Sequence, residues 1–262
     1  MMTSKLLKRI EDKVLIITLN RPEKKNAFDD EMINAWVAAL EEAKYNDDIH
    51  VVVVTGAGDA FCSGGDVSNM KKGKPTPLDS KNVLWENIHR IPLLLKQLDK
   101  PVIAAINGVA VGAGLDMALM ADIRTMADSA RVNEGYVKVG LIPGDGGSYF
   151  LPRLVGESKA YELLWTGDFI DAHEAHRIGL VNQVYPSETF MEETLKLAKR
   201  IASGPQVAIR MIKRSVRQSL NMEMETALDM ISSHMAIIKA TEDHREGVDA
   251  FLEKRKPNFK GR

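Results

Sequence analysis

NGVAVGAGLDMALMAD, from Asn107 to Asp122, is the stretch that decides how the rest of the sequence is interpreted. Every residue from Gly108 to Gly114 is Gly, Ala or Val, and the apolar run that follows is interrupted by a single acid, Asp116. Backbone without bulky side chains permits another group to approach its N–H groups closely. We therefore expect a strand, a glycine loop and then a helix whose first turn carries Asp116, where negative charge is favourable.

Strands and helices are predicted on both sides of this stretch. Four apolar and β-branched runs predict strands: VLIITL from Val14, VVVVTG from Val51, KPVIAAI from Lys100 and DIRTMAD from Asp122. Apolar residues at helical spacing predict helices over about residues 30–46 and 81–98, and Pro92 should kink or divide the second helix. Because strand, glycine loop and helix recur, the sequence predicts an α/β architecture.

The last third of the chain is predicted to be helical throughout. From Glu188 onward apolar residues repeat at spacings of three and four, with a stop and restart at Gly204 and Pro205. We divide the chain into a core over residues 1–195 and a helical region over residues 196–262. A region of this size is too small to fold comfortably alone, so it should pack on the core or on another subunit.

Composition excludes several classes of protein. Among 262 residues, 35 Lys and Arg balance 36 Asp and Glu, which gives no excess positive charge for binding nucleic acid. The single cysteine, Cys62, rules out an internal disulfide and is typical of a reducing compartment. No apolar run is long enough to cross a bilayer, so we expect a soluble cytoplasmic protein with no membrane partner.

Common phosphate, hydrolase and metal motifs are not matched. The glycines of the opening stretch read G-x-x-x-G-x-G, which is neither a dinucleotide fingerprint nor a P-loop, and no G-x-S-x-G elbow occurs. His173 and His176 are three residues apart on a predicted helix, but no third metal ligand is patterned nearby. Cys62 is interpreted as a small residue at a strand end rather than a nucleophile. No Rossmann-type nucleotide site is expected, and the two histidines are interpreted as residues of a surface helix.

A second segment repeats the features of the first. GAGDAFCSGGDVSNM, from Gly56 to Met70, also places small residues after a strand and before an acid, Asp66. Taken alone, either acid is accounted for by helix capping. Two segments of small residues could, however, direct two backbone N–H groups at one oxygen and form an oxyanion hole. A third glycine-rich segment surrounds Asp145, which is either a turn residue or a second acid.

Together these motifs resemble the crotonase, or enoyl-CoA hydratase/isomerase, superfamily. The resemblance runs from LNRPEKKNAFDDEM through AFCSGGDVSNM, KPVIAAINGVAVGAGLDMALMADIR and VGLIPGDGGSYFLPRLVG to EGVDAFLEKRKPNF. It implies a spiral of ββα units with a C-terminal helical trimerisation region. It also implies an acyl-CoA thioester substrate, no metal or redox cofactor, and a homotrimer or homohexamer.

The resemblance also assigns roles to residues. By motif position, the two oxyanion-hole amides fall on Gly65 and Ala113, and the two glutamates of the standard hydratase correspond to Asp116 and Tyr136. A tyrosine is a poor base at neutral pH, so Tyr136 should position groups while Asp145 could supply a second carboxylate. Residues expected along the substrate are Lys24, Asn26, Ala27, Phe28, Phe61, Ser63, Gly64, Gly65, Asp66, Val67, Ser68, Gly112 and Ala113. Lys24, KKGK from Lys71 and the C-terminal EKRKPNFKGR are expected near the CoA phosphates.

Enoyl-CoA hydration is the leading expectation, with Asp116 as the main acid and base. Double-bond isomerisation needs only one acid and is the main alternative. Decarboxylation or retro-aldol cleavage of other thioesters stays open because Tyr136 is atypical. A protein that binds CoA thioesters without turnover would bind tightly and show no chemistry. A helical interaction scaffold would not require the two bare backbones.

Overall fold

The computed structural model describes residues 4–66 and 76–262. Its larger sheet has six strands, ordered β1-β2-β3-β5-β7-β10. These strands are β1 (Leu6–Glu11), β2 (Val14–Leu19), β3 (Val51–Gly56), β5 (Val102–Ile106), β7 (Ile123–Ala127) and β10 (Gln183–Tyr185). β1 and β2 form an antiparallel pair, and every other pairing in this sheet is parallel.

The buried strands of this sheet are those that the sequence predicted. All six residues of β3 and all five of β5 are buried, as expected for parallel strands covered on both faces. β2 occupies the predicted residues, Val14–Leu19. β1 was not predicted, because its run LLKRIE is mostly exposed and lacks a buried apolar pattern.

A second, smaller sheet carries the glycine-rich segments. Its order is β4-β6-β8-β9, with strands β4 (Ala60–Cys62), β6 (Val109–Val111), β8 (Arg131–Asn133) and β9 (Ile170–Asp171). β4, β6 and β8 are parallel, and β9 pairs antiparallel with β8. Strands of two or three residues are too short to show a period in the sequence, so none of them was predicted as a strand of its own.

Helices of the core follow the strands. They are α1 (Asp30–Tyr45), α2 (Pro77–Asn82), α3 (Arg90–Gln97), α4 (Ala113–Leu119), α5 (Gly147–Val155), α6 (Glu157–Thr166) and α7 (Ala172–Arg177). Asp29 caps α1 by accepting a 3.1 Å hydrogen bond from the Met32 amide. The helix predicted over residues 81–98 begins at Pro77 and is divided into α2, a π-helical turn and α3. The division falls just before Pro92, which has no N–H to continue the helix.

Four helices complete the chain: α8 (Phe190–Ala202), α9 (Gln206–Ser219), α10 (Met224–Lys239) and α11 (Glu242–Leu252). The buried face of α8 packs on the large sheet. There the hydroxyl of Thr194 in α8 lies 2.8 Å from that of Thr125 in β7. Residue 195, our predicted domain boundary, falls inside α8, and that division stays a prediction. In residues 4–66 and 76–262, no helix combines the length and apolarity that a membrane span requires.

A partly buried ionic cluster holds helix α9 to the core. Lys213 donates to Asp122 Oδ2 at 2.6 Å and to the Lys100 carbonyl at 2.7 Å. Arg217 donates to the other oxygen of Asp122 at 2.9 Å. Asp122 closes the opening stretch of the sequence, so the same segment that carries the glycine loop also anchors the C-terminal helices.

Candidate active site

Two glycine-rich segments pack backbone against backbone. A Cβ on Gly114 would stand 2.1 Å from the Cys62 carbonyl oxygen, and a Cβ on Gly108 would stand 2.1 Å from that of Asp59. Gly112 has φ +49°, a conformation that side chains disfavour, and its amide donates to the Asn133 carbonyl at 2.8 Å. The small residues of the opening stretch are therefore required for strand β6 and helix α4 to lie directly against the segment around Cys62.

The amides of Gly65 and Ala113 have no acceptor in the described part of the chain. Phe28 pairs with this segment through the carbonyl of Gly64 and the amide of Asp66, both at 2.9 Å, and so bypasses the Gly65 amide. Ala113 is the first residue of α4, where an amide has no partner within the helix. A Cβ on Gly64 would lie 3.7 Å from the Ala113 nitrogen, so the two segments adjoin at these residues.

Two of the residues expected along the substrate lie buried behind these two segments. Asn26 is fully buried, and its side-chain amide donates to the carbonyls of Ala57 and Ala60 at 2.9 and 2.8 Å. Phe61 is also fully buried in the core. Neither presents a surface to a ligand. Burial raises the pKa of Cys62 to about 12, so this thiol is protonated at neutral pH and is not an activated nucleophile.

The charged residues of this region are paired with one another. Asp66 accepts hydrogen bonds from Arg21 at 2.9 Å and from Lys24 at 2.8 Å. Lys24 is partly exposed, so it could exchange this ion pair for a phosphate of a ligand. Ala27, Phe28, Ser63 and Gly64 lie beside this cluster. Val67, Ser68 and KKGK from Lys71 lie outside the described residues.

Asp116, Tyr136 and Asp145 come together in one buried group. The Tyr136 hydroxyl lies 2.7 Å from Asp116 Oδ2 and 2.9 Å from Asp145 Oδ2. Asp116 does not cap α4; its side chain turns toward Tyr136, whose ring packs over Gly112. The 3-10 helix Gly135–Val139 positions Tyr136, and the glycine turn before α5 positions Asp145. Asp116 is 20 residues before Tyr136 in the sequence, and the pairing of β8 with β6 brings their two segments together.

These two contacts constrain the number of protons. Each short oxygen–oxygen contact is a hydrogen bond only if a proton lies between the atoms, and a phenol carries one proton. When both contacts form, one carboxyl of the pair must carry the second proton. The group can thus be written as a protonated acid, a tyrosine and a carboxylate in a chain.

Burial shifts each of these groups toward its neutral form. Burial, opposed by the Tyr136 hydrogen bond and reinforced by Asp145, raises the pKa of Asp116 to about 6. Burial also raises the pKa of Asp145, although the Tyr136 hydrogen bond and His89 oppose the shift. Burial and the adjacent carboxyls raise the pKa of Tyr136 far above its ordinary value, so the phenol stays protonated. Asp116 therefore changes charge near pH 6.

Sequence reasoning missed a third carboxylic acid of this group, Glu134. It is 1% exposed and follows strand β8 directly, two residues before Tyr136. Its carboxyl group interacts with that of Asp116. In the sequence, Glu134 stands in NEGYVKVG beside a glycine, a setting typical of an exposed turn, so no local signal marks it as buried. Despite these acids, residues 4–66 and 76–262 contain no group of three His, Cys, Asp or Glu side chains that could hold a metal ion.

Two free backbone amides near a carboxyl group can stabilise a developing oxyanion while the carboxyl group moves a proton. The enoyl-CoA hydratase/isomerase family model matches residues 9–262, and the chain belongs to this family. It is 36% identical to the 1,2-epoxyphenylacetyl-CoA isomerase of Escherichia coli, over 98% of both chains. It is also 36% identical to the crotonyl-CoA hydratase of Syntrophomonas wolfei, over 95% of both. The enoyl-CoA hydratase structure from Bacillus anthracis superposes with a TM-score of 0.93 at 33% identity, over 98% of this chain and all of that one.

The α/β fold predicted from the sequence is confirmed by this structural likeness. The resemblance to the crotonase superfamily is confirmed by the family match. The relatives' names include both hydratases and isomerases, so the family defines a hydratase/isomerase enzyme without choosing between the two reactions.

Proposed function

We propose that this protein hydrates 2-enoyl-CoA thioesters. The observation that carries the proposal is the Tyr136 hydroxyl within hydrogen-bond distance of both Asp116 and Asp145. It supplies a pair of linked carboxyls where the family's hydratases use two glutamates. The hydratases among the relatives support the same reaction.

The free amides of Gly65 and Ala113 would bind the thioester oxygen. Negative charge develops on that oxygen when a nucleophile adds to the β-carbon, and two N–H donors stabilise it there. Loss of one such donor typically costs about 3–4 kcal/mol of transition-state stabilisation. Ala113 donates through its backbone, so its methyl group does not alter this role.

Asp116 would act as the base and Asp145 as the acid. Asp116 takes a proton from water as the water oxygen bonds to the β-carbon, and the enolate α-carbon takes a proton from Asp145. Tyr136 then restores the starting state: it accepts the new proton from Asp116 and passes its own to Asp145. Atoms balance as one water added per cycle, and the enzyme returns to its original protonation.

Purified protein with crotonyl-CoA tests this proposal. Loss of the conjugated enoyl thioester is followed by its absorbance, and the 3-hydroxyacyl product is identified by mass. We expect wild-type activity, and losses of at least about 100-fold in Asp116→Asn and Asp145→Asn, as for removal of a general base or acid. Equal activity in wild type and Asp116→Asn would refute the assigned role. Binding without turnover on any thioester of a panel would favour a CoA-thioester-binding protein.

Double-bond isomerisation is a second candidate, favoured by the same bridge. Two carboxyls joined by one hydroxyl could take a proton from one carbon and return another to a different carbon, with no net water. A 3-enoyl substrate in D₂O separates the two reactions. Isomerisation gives a 2-enoyl product of unchanged composition apart from deuterium exchange, whereas hydration of the 2-enoyl form adds water.

We also propose a homotrimer or homohexamer, acting in the cytoplasm. Large apolar side chains are exposed just after α9 and on α10 and α11, among them Leu220, Met224, Phe251 and Leu252, each more than 70% exposed. Such a surface is unusual for a monomer and is typical of an interface. Light scattering on the purified protein measures the assembly. A single buried thiol, Cys62, is compatible with a reducing compartment.

A further inference from the structure

Glu134 is buried without a partner that would stabilise its charge. Both of its carboxyl oxygens are inaccessible to solvent, and neither accepts a hydrogen bond from any group in residues 4–66 and 76–262. Oδ1 of Asp116 also lacks a well-aligned hydrogen bond in these residues, although the Gly147 amide adjoins the Asp116 carboxylate and lowers its pKa. Charged carboxylates are strongly disfavoured in such surroundings unless they are paired. These orphaned oxygens are therefore an unexplained feature of the site.

The groups that face Glu134 are themselves acidic. Asp116 from α4 and Asp145 from the turn before α5 both disfavour a negative charge on it. Tyr136 donates its single proton to one aspartate and accepts from the other, so it has no further proton to offer Glu134. His89 opposes the rise in the pKa of Asp145, and its Nε2 donates to the Gly144 carbonyl at 2.8 Å. Glu134 is thus the acid of the group with the least support for ionisation.

We propose that Glu134 is a positioning residue that remains a neutral carboxylic acid and donates its proton to Asp116 Oδ1. A single proton removes both anomalies, because it neutralises the buried Glu134 and gives the orphaned Asp116 oxygen a donor. Asp116 then accepts from Tyr136 through one oxygen and from Glu134 through the other. The inference rests on the proposed role of Asp116, but its tests need no substrate.

A neutral Glu134 has a specific consequence for Asp116. Hydrogen bonds to a carboxylate favour its charged form. Glu134 would therefore keep Asp116 available as a base near neutral pH despite its burial, and would fix the orientation of its carboxylate. Burial raises the pKa of Glu134 well above its ordinary value, and Asp116 adds to the shift, which agrees with this assignment.

Infrared spectroscopy tests the protonation directly. The protein is labelled with ¹³C at glutamate side-chain carboxyls, and the band of a protonated acid is recorded at pH 8. We expect one protonated glutamate in wild type, its absence in Glu134→Gln, and its retention in Glu157→Gln, which alters an exposed acid at the start of α6. Absence of the band from wild type, or its persistence in Glu134→Gln, would overturn the proposal.

NMR titration of Asp116 tests the positioning. With ¹³C-labelled aspartate, Glu134→Gln retains a donor and should leave the pKa of Asp116 within about half a unit, whereas Glu134→Leu should raise it by about one unit. An unchanged pKa in Glu134→Leu contradicts the role. Should Glu134→Leu fail to fold, the infrared comparison still decides. A protein inactive on every thioester, yet with both signatures, would sink the proposed reaction and leave this inference standing.

Discussion

The α-carbon of Gly147 lies directly against the carboxylate of Asp116. A Cβ on Gly147 would stand 2.3 Å from Asp116 Oδ1 and 2.9 Å from Pro143 Cβ. Both distances are below any real contact, and the first turn of α5 leaves the backbone little freedom to retreat. This glycine therefore sets the position of the acid that we propose as the base.

Gly147→Ala should displace Asp116 and reduce kcat/KM for enoyl-CoA hydration by about 100-fold, as a misplacement of 1 Å can. Gly144→Ala is the matched control, because a Cβ there would make an ordinary contact at 3.5 Å with Leu84 Cδ1. Steady-state kinetics on both variants, with circular dichroism to verify folding, measures the difference. Equal losses in the two alanine variants would show that Asp116 is not what Gly147 positions.

Tyr136→Phe tests the bridge between the two aspartates. Removing the hydroxyl takes a hydrogen bond from each carboxyl and breaks the path that returns the proton. We expect kcat to fall by about 100-fold and the pKa of Asp116 to rise, since the lost hydrogen bond lowers it now. Tyr149→Phe, at an exposed tyrosine of α5, serves as the control. Full activity in Tyr136→Phe would exclude the proposed relay.

Sequence patterns were sufficient to predict the large sheet, because its strands are long and apolar. β2 and β3 are six-residue runs with nearly continuous burial, and β5 is a run of five. The second sheet was not predicted, since its strands are two or three residues long. It exists because Gly108 and Gly114 allow two backbones to touch, which is a relationship between distant segments.

The candidate site was predicted in its parts but not in its contacts. Asp116 and Tyr136 came from motif positions, and Asp145 was offered as either a turn or a second acid. Only the structure shows that the Tyr136 hydroxyl lies within 3 Å of a carboxyl oxygen of Asp116 and of one of Asp145. Glu134 was not predicted, because the burial of an acidic residue depends on the distant segments that pack over it. The local sequence NEGYVKVG does not indicate that burial.

The pH dependence of hydration should follow the ionisation of Asp116. The base must be unprotonated, and burial raises its pKa to about 6, so kcat/KM should rise with pH through about 6. The protonated partner sets the alkaline limb, and both apparent values belong to the coupled pair. Initial rates from pH 4.5 to 9 measure the profile. An acid limb near 4 would show that Asp116 behaves as an ordinary exposed aspartate.

Asp122 should contribute more than Asp99 to holding helix α9 on the core. Asp122→Ala leaves the buried amine of Lys213 without its counter-ion, and breaking such a pair costs about 3–5 kcal/mol. Asp99→Ala removes a 3.2 Å ion pair with the exposed Arg214 and should cost less than about 1 kcal/mol. Urea unfolding at pH 7.5 compares the two variants. Similar small losses would mean that packing alone retains α9.

Asp116→Asn should stabilise the protein at high pH while it abolishes turnover. The pKa of Asp116 is raised on folding, so its contribution to stability is present below about pH 4 and is lost as pH rises through about 6. Asparagine cannot ionise and avoids that loss. A shift of about two units corresponds to about 3 kcal/mol as an upper limit. Urea unfolding at pH 5 and pH 8 should therefore show that the gain in free energy of unfolding of Asp116→Asn over wild type grows with pH.

The control is Asp59→Asn, at an exposed aspartate whose pKa is lowered by Lys25, and its free energy of unfolding relative to wild type should show no such growth. A gain of Asp116→Asn that is independent of pH would mean that folding does not raise the pKa of Asp116.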